Sequence, residues 1–273
     1  MRQYPFVIAA IAVVGISAPL AVQARPAVLA ARTAIDAAVA APSRTPANRA
    51  RDSYRHPAET LAFFGIKPGD KIVELFPSGG WYTEVLAPFV NAGNGSLIVA
   101  GPAGKADAAI ATKLATNLPV YGKVTRARFP STATEPGIVA NSVDAVLTFR
   151  NIHNLTMSKE DISASAFRQM FAMLKPGGVL GIEEHRLPEN MDSTREKTSG
   201  YLKVSTVKAL AAKAGFQFAG SSEVNANPRD THDYPKGVWT LPPNYAEGDA
   251  DRARYAAIGE SDRMTLKFVK PRK

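Results

Sequence analysis

The chain has 273 residues, of which 45% are hydrophobic and 21% charged, and its formal net charge is +9. This composition is typical of an ordinary globular chain and excludes a disordered or fibrous protein. Because the sequence contains no cysteine, disulfides, thiolate metal sites and cysteine nucleophiles are also excluded. Any chemistry must therefore come from oxygen or nitrogen side chains or from a bound cofactor.

The first 24 residues have the order of parts of a secretory signal peptide. Arg2 precedes an apolar run from Phe6 to Val14, and the small-residue ending Val22-Gln23-Ala24 follows. A retained membrane anchor is the alternative, but alanines dilute the run and a glycine and a proline interrupt it. We predict a cleaved signal peptide at 1–24, a periplasmic or secreted protein, and no stable membrane span after cleavage.

Residues 25–56 form a basic arm. Six arginines (25, 32, 44, 49, 51 and 55) stand against Asp36 and Asp52, a local charge of +4. The net positive charge left on residues 57–273 is too small to form a nucleic-acid-binding surface, so no nucleic-acid partner is predicted. We expect a solvated basic surface. The stretch Arg49–Arg55 either closes over a pocket and pairs with an acidic acceptor or only covers the first helix of the domain.

The rest of the sequence alternates between helices and strands. An alanine-rich helix over Thr33–Ala41 precedes the linker Pro42–Asn48, and a short helix runs from His56-Pro57-Ala58-Glu59 to Gly65. The pattern then predicts strands at 71–75, 96–100, 124–129, 143–149, 179–183, 216–224 and 264–269. Between them it predicts a helix with Tyr82, Val85, Leu86 and Phe89 on one face and a helix at 106–118. Two further helices follow, one capped by Ser158 and ended by Lys175-Pro176-Gly177-Gly178, and one capped by Ser205.

This alternation predicts an α/β protein of three layers. Its Rossmann-like sheet has about seven mostly parallel strands, with helices on both faces. No internal repeat and no second domain boundary interrupt residues 57–273, although a long insert occupies residues 225–262.

Three motifs within this pattern carry a resemblance to a known family. Lys71-Ile72-Val73-Glu74 precedes Gly79-Gly80-Trp81-Tyr82, Val143-Asp144-Ala145-Val146 leads to Arg150-Asn151-Ile152-His153-Asn154, and Leu174-Lys175-Pro176-Gly177-Gly178 follows. From about residue 51 onward the chain resembles the class I S-adenosylmethionine-dependent methyltransferases, most closely a group of predicted exported bacterial members. The resemblance implies S-adenosylmethionine as cofactor, an antiparallel last strand, and methyl transfer to a small-molecule or envelope-associated acceptor.

In that family the acid and the glycine turn after the first strand contact the cofactor. Glu74, Gly79 and Gly80 occupy those places here, whereas residues 76–78 stand where two of the three usual glycines would be. An ordinary strand-to-helix turn with a solvated glutamate is the alternative. The second strand reaches Gly101 without the usual ribose-binding acid. The acid that often meets adenine is also missing, but Phe129 can stack on the ring. The predicted cofactor-binding residues are Glu74, Phe76, Pro77, Gly79, Gly80, Gly101, Phe129, Arg150 and Asn151.

Ligands of such sheets bind beyond the carboxyl ends of the strands. His153 follows the fourth strand, and Glu183, Glu184 and His185 end the fifth. An imidazole side chain can act as a general base, and we predict His153, Glu184 and His185 as catalytic residues. Hydrogen-bonded structural histidines are the alternative. Because side chains alternate across a strand, only one of the two adjacent glutamates is expected to face the pocket.

The insert 225–262 is expected to cover the acceptor site, since loops of this length are commonly functional. With Tyr82, its residues Arg229, Asp230, His232 and Asp233 are predicted to form the substrate and lid region. Two carboxylates and one histidine also suggest a metal, but they do not fix a ligand geometry, so a hydrogen-bonded lid is favoured and no metal site is predicted.

Two functions remain open at the level of the sequence. The first is an S-adenosylmethionine-dependent methyltransferase. The second is a non-catalytic binding protein or inactive descendant on the same fold, which agrees with the altered glycine turn. A hydrolase is disfavoured because the sequence has no G-x-S-x-G element.

Overall fold

A computed structural model describes Met1 and residues 21–132 and 137–272. Most of the predicted signal peptide lies outside the described residues. The predicted cleavage point after Ala24 falls in the first turn of helix α1 (Ala21–Val39), which starts well before the predicted Thr33. Within the described ranges, no helix is long and apolar enough to cross a membrane.

Helices and strands alternate through the chain after three helices of the arm. The helices are α1 (Ala21–Val39), α2 (Pro46–Arg49), α3 (Asp52–Arg55), α4 (Pro57–Phe64), α5 (Thr83–Asn91), α6 (Lys105–Ala115), α7 (Leu118–Tyr121), α8 (Ile152–Thr156), α9 (Ser163–Met173), α10 (Val204–Lys213) and α11 (Arg252–Ile258). The strands are β1 (Lys71–Leu75), β2 (Ser96–Gly101), β3 (Thr125–Arg128), β4 (Val143–Phe149), β5 (Leu174–Leu187), β6 (Leu202–Lys203), β7 (Gln217–Ser222) and β8 (Arg263–Val269).

The strands form one mixed sheet with the order β3-β2-β1-β4-β5-β8-β7, and the two-residue β6 pairs with β5. Pairings from β3 to β5 are parallel, while β8 runs antiparallel to both β5 and β7. This confirms the predicted Rossmann-like sheet with its antiparallel last strand. Chain order reverses between β1 and β4, and a crevice forms at such a switch point.

The sheet is buried on both faces, which explains why its strands are almost continuously apolar. Alternate residues point to opposite faces: Ile72 and Leu147 pack against α1, α4 and α5, whereas Val73 and Val146 pack against α9 and α10. The two cores hold the strand ends of β1, β4 and β5 in fixed register, and those ends carry the polar residues considered below.

Three predicted boundaries were wrong. Ser205 does not cap a helix, because α10 begins at Val204 after the N-cap Lys203, and the Ser205 hydroxyl donates to Glu189. Helix α9 begins at Ser163, because the Ser158 hydroxyl donates to the Leu155 carbonyl in the preceding turn instead of capping the helix. Strand β5 begins at Leu174, so the segment expected to end a helix belongs to the sheet. The backbone of Gly177 and Gly178 pairs with Lys270 near the C-terminus, which extends the ladder.

The basic arm packs onto the domain, which corrects the expectation of a solvated basic surface. Arg44 is buried and forms a bidentate pair with Asp52, with 2.7 Å for each N–O contact. The guanidinium groups of Arg44 and Arg55 lie 5.1 and 4.8 Å from the ring centroid of Trp81. Their cation–π contacts tie the arm to the turn after β1.

Candidate functional site

A cavity of about 420 Å³ opens at the carboxyl ends of β1, β4 and β5, where the strand order reverses. Its walls come from three parts of the chain that are distant in sequence. The turn after β1 and the ends of β4 and β5 form the floor, Arg51 and Arg55 of the arm form one side, and residues 238–244 of the insert form the cover. Both its position and its size are typical of a small-molecule site.

The turn after β1 exposes backbone to this cavity. Gly79 lines the cavity, and a Cβ built there would meet no atom within 4 Å. Gly80 has φ of +75°, and its Cβ would lie 2.6 Å from the side chain of Lys113. Gly80 therefore serves the turn and its packing on α6, and Gly79 is the glycine that lets a ligand approach the backbone.

Glu74 is buried at the end of β1 and borders the cavity. The Thr83 hydroxyl donates to its carboxylate at 2.6 Å. Burial raises the pKa of Glu74 to about 7, although the hydrogen bonds from Thr83 act in the opposite direction. The alternative of a solvated glutamate is therefore wrong, and both protonation states are populated near neutral pH.

A network of buried ion pairs forms one side of the cavity. Glu260 accepts from Arg51 at 2.7 Å and Arg55 at 3.1 Å, and Arg263 bridges Glu260 to Glu183 at 3.3 and 2.9 Å. Arg150 also pairs with Glu183, at 2.9 Å. Burial raises the pKa of Glu260, but the adjacent arginines outweigh it and hold the pKa at about 2.

This network has an excess of positive charge, because it contains four arginines and two glutamates. Arg51 borders the cavity, and its buried Nη2 atom has no hydrogen-bond partner among the described residues. A guanidinium nitrogen without a partner beside a cavity is suited to an anionic ligand such as a carboxylate.

The three predicted catalytic residues lie together. The Nδ1 atom of His153 and the Oε1 atom of Glu184 are 2.9 Å apart, and the ring centroids of His153 and His185 are separated by 5.3 Å. Nδ1 of His185 lies 2.6 Å from the hydroxyl of Ser261. Burial, followed by the neighbouring His153 and the arginines, lowers the pKa of His185 well below its ordinary value, so its ring is neutral at pH 7.

The adjacent Glu183 and Glu184 have different partners, as strand alternation requires. Both are fully buried, and neither lines the cavity, so the expectation that one of them faces the pocket was wrong. Glu183 accepts from the Tyr82 hydroxyl at 3.0 Å as well as from the arginines, and Glu184 binds His153. Tyr82 lines the cavity and stacks on Phe149 with a centroid distance of 3.4 Å.

The predicted cofactor residues fall into two groups. Glu74, Phe76, Pro77, Gly79, Arg150 and Asn151 line the cavity, whereas Gly80, Gly101 and Phe129 do not. The ring of Phe76 packs edge-on against Phe129 with 5.5 Å between centroids, and a Cβ on Gly101 would lie 3.9 Å from Phe76. Phe76 therefore borders the cavity and also contacts the two residues expected at the adenosine end.

The predicted lid residues Arg229, Asp230, His232 and Asp233 do not line the cavity. Asp230 accepts from the Tyr201 hydroxyl at 3.0 Å and from the backbone of Asp262 at 2.7 Å, and Asp233 accepts from Thr231. These residues hold the insert together. The part of the insert that covers the cavity is residues 238–244, which includes Trp239, Pro242 and Pro243.

Sequence reasoning missed several residues of the site, among them Trp239, Glu260 and Ser261. Trp239 and the following proline pair were visible as a rigid apolar segment inside the insert. Glu260 and Ser261 had no comparable signal, since a glutamate and a serine before a strand are ordinary, and only the fold brings them to the arm and His185.

No protein-family model matches the sequence, and no curated protein matches it. Solved structures do match. An S-adenosylmethionine-dependent methyltransferase from Aquifex aeolicus is 15% identical, with a TM-score of 0.55 over 88% of this chain and 98% of that one. The CurJ carbon methyltransferase is 11% identical, with a TM-score of 0.51 over 84% of this chain and 56% of that one.

The [4+2]-cyclase SpnF also shares the fold, at 16% identity and a TM-score of 0.53 over 89% of this chain and 93% of that one. The chain thus has the fold of the class I methyltransferases. Because a cyclase shares it, function must be argued from the site.

Proposed function

We propose that this protein is an S-adenosylmethionine-dependent methyltransferase that acts on a small or envelope-associated acceptor. The observation that carries the proposal is the cavity at the switch between β1 and β4, which combines the open backbone at Gly79, the acid Glu74 and an unpaired arginine nitrogen. The fold supports it as well, since methyltransferases are among the solved structures that share it.

The residues present fit the amino-acid end of S-adenosylmethionine. That end carries a carboxylate, an ammonium group and a sulfonium centre. Arg51 would hold the carboxylate through its unpartnered Nη2 atom, and ionised Glu74 would face the cationic groups. When bound, S-adenosylmethionine supplies an electrophilic methyl group, and the chain has only to position the acceptor and accept a proton where the acceptor must lose one.

His185 is suited to accept that proton. Its ring borders the cavity and is neutral because its pKa lies well below the ordinary value. Ser261 and Glu184 fix the orientations of His185 and His153 through hydrogen bonds to their Nδ1 atoms. A neutral, oriented imidazole at the wall of a cavity has the properties of a general base.

A non-catalytic binding protein on the same fold is the second candidate. It is favoured by the position of Gly101 and Phe129 outside the cavity, where both lie against Phe76, and by the absence of an acid at the end of β2. In that case the cavity would bind a small anion without transferring a group.

Calorimetric titration with S-adenosylmethionine and S-adenosylhomocysteine distinguishes the two candidates. The methyltransferase proposal predicts saturable binding that weakens about tenfold in Gly79→Ala, because the new methyl group would occupy space needed by the ligand. Gly69→Ala is the matched control, since its Cβ meets only an ordinary contact of 3.5 Å and lies outside the cavity. Absence of binding at millimolar ligand would favour the binding-protein candidate.

We also propose that the protein is exported, on the basis of the signal-peptide pattern in residues 1–24. Mass spectrometry of the protein from the periplasm of an expressing bacterium should find a mature N-terminus near Arg25. An intact Met1 on protein confined to the cytosol would contradict export.

A further inference from the structure

The cluster of His153, Glu184 and His185 has the composition of a metal site, although no metal was predicted from the sequence. One nitrogen of each histidine and one carboxylate oxygen of Glu184 all lie within 4.8 Å of one another. Among the described residues this is the one such group of three histidine, aspartate or glutamate side chains. Two imidazoles and one carboxylate form a donor set that transition metals bind, and such sites commonly keep coordination positions open.

We propose that His153, Glu184 and His185 bind one divalent transition-metal ion at the wall of the cavity. In the metal-bound protein His185 is a ligand and not the general base, because Ser261 occupies its Nδ1 atom and only one ring nitrogen is left. Bonds of about 2.1 Å at the tetrahedral angle place neighbouring ligand atoms about 3.4 Å apart. Nδ1 of His153 and Oε1 of Glu184 form a hydrogen bond of 2.9 Å, so both atoms must be unprotonated and move apart by about 0.5 Å to bind one ion. The widest separation of 4.8 Å must close, since two ligands of one ion lie at most about 4.2 Å apart.

The backbone holds Glu184 in place without an ion. Its Oε2 accepts from the His153 amide at 3.1 Å, and its Oε1 accepts from the His185 amide at 2.8 Å. Ser261 contacts His185 at Nδ1, in the manner of the outer partners that orient metal-binding imidazoles. The site is thus organised by the neighbouring ends of β4 and β5 and needs only a small movement of the side chains.

The donor set indicates which metals the site accepts. Mg²⁺ and Ca²⁺ require several oxygen ligands, whereas two imidazoles favour metals such as Zn²⁺ or Co²⁺. Arg55, Arg150 and Arg263 stand nearby, and Glu183 and Glu260 offset them only in part, so this positive charge opposes any cation and the three ligands must outweigh it. Because both histidines line the cavity, open positions of the ion would be accessible to a ligand there.

The experiment uses untagged, EDTA-treated and dialysed protein without any methyl donor, so its outcome is independent of the proposed function. Titration with ZnCl₂ in a calorimeter and with CoCl₂ by visible absorption should show one bound equivalent. The chain has four histidines, which allows a matched pair of double variants. His56→Gln/His232→Gln should retain the bound equivalent, and His153→Gln/His185→Gln should lose it with at least a hundredfold weaker binding.

A measurement on the unaltered protein covers the case in which the second variant does not fold. In a nitrogen NMR spectrum of the imidazole rings, Zn²⁺ should shift the signals of His153 and His185 and leave those of His56 and His232 unchanged. Failure of the unaltered protein to bind either ion, or loss of binding only in His56→Gln/His232→Gln, would overturn the proposal.

Discussion

Glu74 shows how one buried residue carries both a structural cost and a functional role. It lies among the apolar ends of β1 and α5, and Thr83 offers its carboxylate a single side-chain hydrogen bond. Burial of a carboxylate disfavours its charged form, which explains the pKa of about 7. The site therefore acquires a negative charge for a cationic ligand only at the expense of fold stability.

The stability of the fold should respond to pH through Glu74. Its pKa of about 7 in the folded protein lies above the ordinary value of 4.5. The contribution of Glu74 to the free energy of unfolding is therefore fully present below pH 4.5 and is lost as pH rises through 7. Glu74→Gln removes this loss. At pH 8 the variant should be more stable than the unaltered protein by roughly 3 kcal/mol, and at pH 4.5 the two should differ little. Urea unfolding at both pH values measures the difference, and an equal effect at both would contradict the account.

The three residues predicted to be catalytic lie close together for a simple reason. Parallel strands end at the same edge of a sheet, so polar residues after the fourth and fifth strands had to meet. His153, Glu184 and His185 could therefore be predicted to lie together. The position of Phe76 could not be predicted, because its contact with Phe129 depends on a turn in which Phe76 itself has φ of +51°.

At the scale of elements, the insert reaches the cavity through other residues than those predicted. The stretch 229–233 is rich in titratable groups, but these bind one another and Tyr201. The apolar stretch 238–244 covers the cavity instead. Polarity alone could not distinguish residues that brace a loop from residues that face a ligand.

The segment 238–244 that covers the cavity begins after Gly237, whose backbone conformation and surroundings leave no room for a side chain. Gly237 has φ of +56°, and a Cβ there would lie 2.1 Å from the Ser199 carbonyl oxygen. Gly237→Ala should displace the segment, destabilise the protein by about 2 kcal/mol or more, and speed cleavage of the insert by protease. Gly248→Ala is the matched control, because Gly248 has φ of +67° in the same insert but open space around its Cβ. Equal protease sensitivity of the two variants would contradict a specific role for Gly237.

At the scale of the whole molecule, the arm and the C-terminal part of the chain meet over the cavity. Arg51 and Arg55 pair with Glu260, about two hundred residues later. Local periodicity predicted the alternating strands and helices, and the resemblance predicted the antiparallel last strand. The contact between the arm and Glu260 could not be predicted, because the sequence does not show which of the six arginines of the arm are buried.

Acid should weaken the ion pairs that join the arm to Glu260. The pKa of Glu260 is about 2 in the folded protein, whereas its ordinary value is 4.5. The contribution of Glu260 to the free energy of unfolding is therefore present above pH 4.5 and is lost as pH falls towards 2. Glu260→Gln should cost on the order of 3 kcal/mol at pH 7 and progressively less below pH 4.5. Glu223→Gln breaks an exposed pair with Arg186 and should cost less than about 1 kcal/mol. Denaturant unfolding across this pH range measures both variants, and a pH-independent cost for Glu260→Gln would refute the assignment.

The central claim is that the cavity between the ends of β1 and β4 holds S-adenosylmethionine. The most direct measurement is a crystal structure of the protein grown with millimolar S-adenosylhomocysteine, the demethylated product. The account predicts that the amino-acid end of the product lies beside Gly79 with its carboxylate on Arg51. A product bound at another place, or an empty cavity at saturating concentration, would contradict it.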